Sequence, residues 1–333
     1  MAGKAIITGG AGFIGSHLAE HLLAEGRSLR IIDDLSTGSA DNLQHLLGPD
    51  CDLIEGLAGR VMASTPSLWQ GVDAVFHLAA SVGVQRVLED PTSMIRNNID
   101  ETAIVVDAAV EHHATLLIAS SSEVYGRSND LPLREDGDLV YGPTTSSRWA
   151  YGMAKALDEH LVLDAVRRRG LRAVIARLFN TIGPRQVGHY GMVVPRFVAR
   201  AVGGQPLEVY GDGTQTRAFC DVRDVTRAMS QLVSKPDTHG RAYNLGSEQQ
   251  LTISDLAKRV IERAGTTSEL ILKPYDEVYP PGFEETPDRA PSIDRLRAAI
   301  GFEPMISLEQ TLDELIEIAR QDKVTATSME KRT

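Results

Sequence analysis

Tyr151 and Lys155 stand four residues apart in Ser146-Ser147-Arg148-Trp149-Ala150-Tyr151-Gly152-Met153-Ala154-Lys155. On a helix, residues i and i+4 share one face. A tyrosine hydroxyl ordinarily ionises near pH 10, so it is a poor base at neutral pH. A lysine ammonium one turn away favours the phenolate, as would a cationic ring lying over it. Such a pair can take the proton of an alcohol or sugar hydroxyl while a hydride leaves the same carbon. Surface helices also carry this spacing as solvated residues, so its meaning depends on what surrounds it.

A second stretch, Ser120-Ser121-Ser122-Glu123-Val124-Tyr125-Gly126, follows the apolar run Leu116–Ala119. Serine runs usually mark loops, but hydroxyls at a strand end can orient a substrate oxygen and relay its proton to Tyr151. A third stretch opens the chain. Lys4–Thr8 reads as a buried strand, Gly9-Gly10-Ala11-Gly12-Phe13-Ile14-Gly15 as a turn, and the residues to about Ala24 as a helix. A glycine turn between strand and helix lets the backbone approach a pyrophosphate at the positive helix end. The spacing is Gly9-x-x-Gly12-x-x-Gly15, and a second strand ends at Asp33, eighteen residues beyond Gly15. An acidic residue there can accept from both hydroxyls of an adenosine ribose, which favours NAD over its 2′-phosphorylated relative.

Elements must bring these stretches together. Apolar strands recur at Ala74–Leu78, Leu116–Ala119 and Ala173–Ala176, with helical stretches near Pro91–Glu111 and Ser147–Arg169. This alternation predicts an α/β fold with a doubly wound parallel Rossmann sheet, ligands lying at the C-terminal strand ends. Gly9–Gly15, His77-Leu78-Ala79-Ala80 and Ser120–Gly126 converge there. His77 by itself reads as a hydrogen-bonded strand-end histidine. A net charge of −11 argues against nonspecific nucleic-acid binding. It also means that an anionic substrate must be held by locally placed arginines. Only Cys51 and Cys220 are present, without metal-ligand spacing, so no metal is expected and a reducing, cytoplasmic setting is. The first strand begins too early for a signal peptide, and no apolar run approaches membrane-spanning length.

With these residues in hand, the chain resembles the extended short-chain dehydrogenase/reductase family that modifies nucleotide-sugars. The likeness runs from about Lys4 to about Ile318. Besides the stretches above it rests on Asp33-Asp34-Leu35-Ser36-Thr37-Gly38, Arg177–Pro184, Val209–Arg217 and Tyr243-Asn244-Leu245-Gly246. It implies an NAD reduced and reoxidised within each turnover, with Ser121 as catalytic hydroxyl, Tyr151 as base and Lys155 as its partner. Ser122 and Glu123 complete the catalytic stretch. Cofactor contacts are implied at Gly9, Gly12, Phe13, Ile14, Gly15, Asp33, Asp34, Ser36, Leu78, Ala79, Ala80, Asn98, Tyr151 and Lys155. After the third strand the family usually places an acidic residue near the adenine, where this chain reads Glu55-Gly56-Leu57-Ala58. Asn180, Arg217 and Arg289 match family residues that hold the nucleotide diphosphate, a task suited to the guanidinium fork. Val194, in Gly191–Phe197, is expected beside the sugar.

The implied division is a Rossmann domain over residues 1–180 with a returning segment near 207–238. A smaller C-terminal α/β substrate domain takes 181–206 and 239–323, with amphipathic helices at Leu251–Ala264 and Ser307–Arg320, and 324–333 form a frayed tail. A homodimer through helices near 91–112 and 147–169 is implied as well.

Several reactions begin alike, with Tyr151 deprotonating the C4 hydroxyl as hydride passes to NAD+. The 4,6-dehydratases carry an aspartate where Ser122 stands, so dehydration is disfavoured. UDP-glucuronate decarboxylases resemble this chain at Ser122-Glu123, Arg148-Trp149 and Arg289–Ile293. The 4-epimerases resemble it at Phe179–Gln186 and Tyr190-Gly191-Met192. With Arg185 as a grip on a sugar carboxylate, the reading favours a UDP-glucuronate/UDP-galacturonate 4-epimerase. The decarboxylase, forming UDP-xylose or its 4-keto pentose, is the alternative, followed by a UDP-glucose 4-epimerase. A simple NAD-dependent dehydrogenase would accumulate NADH. An inactive NAD-binding sensor would usually lack the serine, tyrosine or lysine that this chain has.

Overall fold

The computed structural model describes residues 3–81, 90–188, 192–279 and 288–330. Tyr190, Gly191 and Pro287, named above, lie outside them. Seven strands form the main sheet: β1 (Lys4–Thr8), β2 (Ser28–Asp33), β3 (Cys51–Glu55), β4 (Val72–His77), β5 (Thr115–Ser121), β6 (Ala173–Leu178) and β11 (Arg241–Leu245). Their order is β11-β6-β5-β4-β1-β2-β3 and every pairing is parallel. The strand order reverses between β1 and β4, which opens a crevice at their C-terminal ends.

Each sheet face is covered by helices, as two-sided apolar strands require. One face carries α1 (Phe13–Ala24), burying Leu18 and Leu22 against Ile7 and Ile31. The other carries α2 (Ala58–Ser64), α3 (Pro91–Glu111) and α4 (Ala150–Arg169), with Val105, Val162 and Ala165 packed on Ile6, Val75 and Ile118. The doubly wound parallel sheet is therefore as the residue pattern predicts.

The smaller unit contains α5 (Val193–Val202), β8 (Leu207–Tyr210), β9 (Thr216–Ala218), α7 (Ile253–Ala264) and β13 (Leu270–Lys273). Its apolar cluster joins Phe197, Leu207, Val209, Leu256 and Val260 to Leu312 and Ile316 of the last helix. The short strands β7 (Thr181–Ile182) and β10 (Cys220–Asp221) pair beside α6 (Val222–Ser234), and β12 (Gln250–Thr252) and β14 (Asp288–Arg289) flank β9. The helix α8 (Asp294–Ile300) returns to the large domain, with Leu296 in the same cluster as Leu18.

Three boundaries differ from the sequence-based division. β8 pairs with β13 in the small unit because Leu207 and Val209 bury there. β11 extends the main sheet because Tyr243 and Leu245 join the cluster of Ile7 and Val174. Residues 324–330 continue the helix α9 (Leu308–Glu330), since Val324–Glu330 contains no glycine or proline to stop it. Among the described residues no helix is long and apolar enough to cross a membrane.

Candidate active site

α4 places Tyr151 in its first turn and Lys155 one turn later. Gly152, between them, lets the helix start close to the turn after β5. A side chain there would put its Cβ 2.3 Å from the Glu123 carbonyl oxygen, closer than atoms pack. The Ser121 side chain, at the end of β5, hydrogen-bonds Tyr151 and also accepts from Glu123 N at 3.2 Å. Ser122 is buried in the same turn. Burial first, then the charges of Glu123 and Asp158, push the Tyr151 hydroxyl well above its ordinary range, against the opposing Ser121 bond. Tyr151 is thus a protonated phenol until more positive charge enters the cleft.

Glu123 is gripped from two sides. Arg148, just before α4, bonds both of its oxygens at 2.5 and 3.2 Å, and Arg289 on β14 bonds Oε1 at 2.5 Å. Burial alone would raise the Glu123 carboxyl, but Arg289 and Arg148 outweigh it and hold the group well below the usual carboxylate range. At neutral pH it is a carboxylate, unsuited to donate a proton. A second buried pair supports the first. Arg177 on β6 bonds Glu159 at 2.9 and 2.7 Å, while Ser120 donates to Glu159 at 2.6 Å, tying β5 and β6 to α4.

The cofactor cradle lies at the β1 and β4 ends. Gly9 takes φ of +69°, and a Cβ on it would come 2.7 Å from Ala79 N. A Cβ on Gly15 would come 2.2 Å from Gly9 O. Gly12 caps α1 with no side-chain hydrogen bond, so the N–H groups of the first turn, which holds Phe13, Ile14 and Gly15, are left for a phosphate. Asp33 accepts from Ala11 N and Leu35 N, both at 2.9 Å, one on each oxygen, and each oxygen retains a lone pair for a ribose hydroxyl. Asp34 accepts from Ser36 N at 3.0 Å, folding the loop behind β2. Asn98 on α3 clamps the loop after β4, accepting from Ser81 N at 2.8 Å and donating to Ser81 O at 3.3 Å, and so sets the path of Leu78, Ala79 and Ala80. The residues present fit a dinucleotide. His77 lies between Thr8 and Thr102. Burial, helped by Lys155, pushes it down to about 3, so it is neutral.

A cavity beside the small unit is lined by Asn180, Val194 and Arg217, three of the residues expected on the substrate. Asn180 donates to Ala218 O at 2.9 Å. The lining adds Arg196, whose guanidinium lies 4.0 Å above the Tyr210 ring, together with Gln186, Gln215, Tyr275 and Tyr279. Thr181 Oγ1, Gln186 Oε1 and Gln215 Oε1 are buried there without hydrogen-bond partners. Buried polar atoms are seldom left so, and a polar ligand would satisfy them. Sequence reading included Thr181, Gln186, Arg196, Tyr210 and Gln215 in family-like stretches without giving them a role, and passed over Tyr275 and Tyr279. The i, i+4 pair Tyr275 and Tyr279 is the signal that could have drawn notice.

Two residues expected on the substrate have partners within the protein. Arg185 takes a left-handed backbone (φ 68°) and points its guanidinium to Glu20 on α1, at 2.8 Å, and to Asn42 O at 3.3 Å. It is engaged with α1, which lies on the sheet face opposite α4. Arg289 pairs in register with Arg217, and its guanidinium bonds Glu123. Lys155 also has an unforeseen partner: its Nζ lies 2.9 Å from Asp158 Oδ2.

The model of the NAD dependent epimerase/dehydratase family matches residues 5–246. The chain is 38% identical to a UDP-N-acetyl-alpha-D-glucosaminuronate decarboxylase of Bacillus cytotoxicus, over 96% of this chain and 99% of that one. It is 33% identical to UDP-glucuronic acid decarboxylase 2 of Arabidopsis thaliana, over 96% of this chain and 68% of that one. The solved UDP-glucose 4-epimerase of Thermotoga maritima superposes with a TM-score of 0.85 at 28% identity, covering 96% and 99% of the two chains. A glycine cradle for a dinucleotide, a serine–tyrosine–lysine group at the strand ends and a match across most of the chain lead to one conclusion: the chain belongs to the NAD-dependent epimerase/dehydratase family of nucleotide-sugar enzymes.

Proposed function

We propose that the protein is an NAD-dependent decarboxylase acting on a UDP-linked uronic acid. One observation carries this reading. Arg148 and Arg289 converge on the single carboxylate of Glu123 beside Tyr151. Two guanidinium groups held beside the catalytic tyrosine offer the planar fork that binds a carboxylate such as the acid group of a uronate, and a neutral hexose has no need of it. The names of the relatives from Bacillus cytotoxicus and Arabidopsis thaliana support the same class. Arg185, the carboxylate grip expected for a uronate 4-epimerase, pairs with Glu20 instead of adding support to that reading. The epimerase stays as the second reading, on the likeness to the Thermotoga maritima epimerase.

In the mechanism, bound NAD supplies the hydride acceptor at C4 of the sugar and, where the ketone is reduced again, the donor. Tyr151 takes the O4 proton as Ser121 orients that oxygen. The resulting 4-ketone makes the acid group a β-keto acid. The C5–C6 bond breaks, CO2 leaves, and the bonding pair moves into an enolate on O4, which the hydroxyls of Tyr151 and Ser121 stabilise. A proton then returns to C5. Lys155 supplies positive charge to the phenolate, and Arg217 with Asn180 holds the nucleotide diphosphate.

The test is proton NMR of the purified protein with NAD+ and UDP-glucuronate or its 2-acetamido analogue, beside UDP-glucose. A pentose or 4-keto pentose product with released CO2 is expected from the uronates. A C4-inverted uronate with its carboxylate intact would overturn the reading in favour of the epimerase.

We also infer a homodimer through α3 and α4. Leu157 and Leu161 on α4 and Ile104 on α3 expose 50%, 36% and 39% of their surfaces, an unusual set for neighbouring solvent-facing helices. Sedimentation should give twice the chain mass, and Leu157→Glu should give a monomer. A monomeric wild type would refute this.

A further inference from the structure

Lys155 and Asp158 carry opposite charges where neither meets water, with side chains 3% and 0% exposed. One Asp158 oxygen takes the lysine bond, and the other, Oδ1, is buried without a well-formed hydrogen bond. Behind the pair runs a chain of polar groups. Ala79 N donates to Thr8 Oγ1 at 3.3 Å, Thr8 Oγ1 lies 2.8 Å from His77 Nδ1, and His77 Nε2 lies 3.3 Å from Thr102 Oγ1 on α3. Thr102 stands within reach of Asp158. In the tautomer in which Thr8 donates to Nδ1, the imidazole carries its proton on Nε2, facing Thr102. The chain thus joins the cofactor cradle at the end of β1 to the carboxylate that holds Lys155.

We propose that Asp158 is a positioning residue for Lys155: it anchors the ammonium towards α3 and offsets its charge, so that the Tyr151 phenolate forms only when a cationic ring occupies the cofactor cradle. The charged groups around Tyr151 single out Asp158. From the turn after β5 comes Glu123, already countered by Arg148 and Arg289. On α4, Glu159 lies beside Asp158 but is paired with Arg177. His77, from β4, is neutral. Asp158 is the carboxylate whose counter-charge is Lys155 itself. Without it, the ammonium would act on Tyr151 undiminished. The proposal rests on the reading of Tyr151 and Lys155 as the proton-transfer pair and not on which sugar is turned over.

The test follows the phenolate directly. NAD-loaded wild type, Asp158→Asn and Asp158→Ser are titrated from neutral to alkaline pH by ultraviolet phenolate absorbance, each with its Tyr151→Phe counterpart subtracted. Asparagine and serine can both still bond Lys155, so one variant serves if the other does not fold. The Tyr151 midpoint should fall by about one pH unit, giving about tenfold more phenolate at a fixed pH. A midpoint that stays in place while the melting temperature drops would mean a purely structural ion pair and overturn the proposal, as would a Tyr151 signal silent in all three proteins. No sugar enters the titration, so failure of the decarboxylase reading leaves the outcome untouched.

Discussion

Tyr151→Phe is expected to lower kcat by about 10²- to 10⁴-fold, the usual worth of a positioned acid–base group. The ring keeps its packing against Met94 and Ala154, and the loss of one hydroxyl costs stability by only about 0.5–1.5 kcal/mol. Cofactor content and the melting midpoint should therefore change little while turnover collapses. The decisive reading is a single turnover followed at the reduced-nicotinamide absorbance. Wild type should show transient or steady reduction on adding a uronate nucleotide, and the variant none. Turnover within a factor of a few of wild type would remove Tyr151 from the chemistry.

Glu123→Gln should be the most destabilising conservative change in the cleft. Glutamine keeps the shape but removes the carboxylate charge that the guanidinium groups of Arg148 and Arg289, each under a tenth exposed, both hold. Removing one partner of a buried pair typically costs about 3–5 kcal/mol. The pH dependence has a definite sign. The folded-state value of Glu123 is depressed, so its contribution is fully present above the ordinary carboxylate value of about 4.3 and is lost as pH falls below it towards the depressed folded value. The gap in unfolding midpoint between wild type and variant should be widest at neutral pH and shrink in acid. A constant gap would mean that charge pairing is not what Glu123 contributes.

The main sheet, the glycine turn and the tyrosine–lysine helix were legible because each depends on neighbours along the chain. Strand Lys4–Thr8, turn Gly9–Gly15 and Asp33 follow from local periodicity and spacing, and the structure has them in that order. What stayed hidden depends on partners distant in sequence. Arg289 meets Glu123 across 166 positions, and no spacing rule reaches that far. The pair of Arg185 with Glu20 spans 165 positions, and the left-handed backbone of Arg185 was likewise not legible in the sequence. Asn244 falls in the range 239–323 that the sequence-based division gave to the substrate domain. In the fold it is fully buried, donating to Leu133 O and accepting from Tyr125, and so serves as an internal tie of the sheet edge. Asp158 could have been noticed, since it lies three residues after Lys155 on a helix whose neighbouring positions are buried.

The Glu123–Arg289 pair runs from the turn after β5 in the large domain to β14 beside the small one. Being buried, it is little screened by salt, and it sets the separation of the two walls before any ligand arrives. The entropy of bringing those walls together is then lost on folding rather than on binding. That is preorganisation: binding energy from the nucleotide need not be consumed in closing this part of the cleft, and more of it remains for the bound sugar.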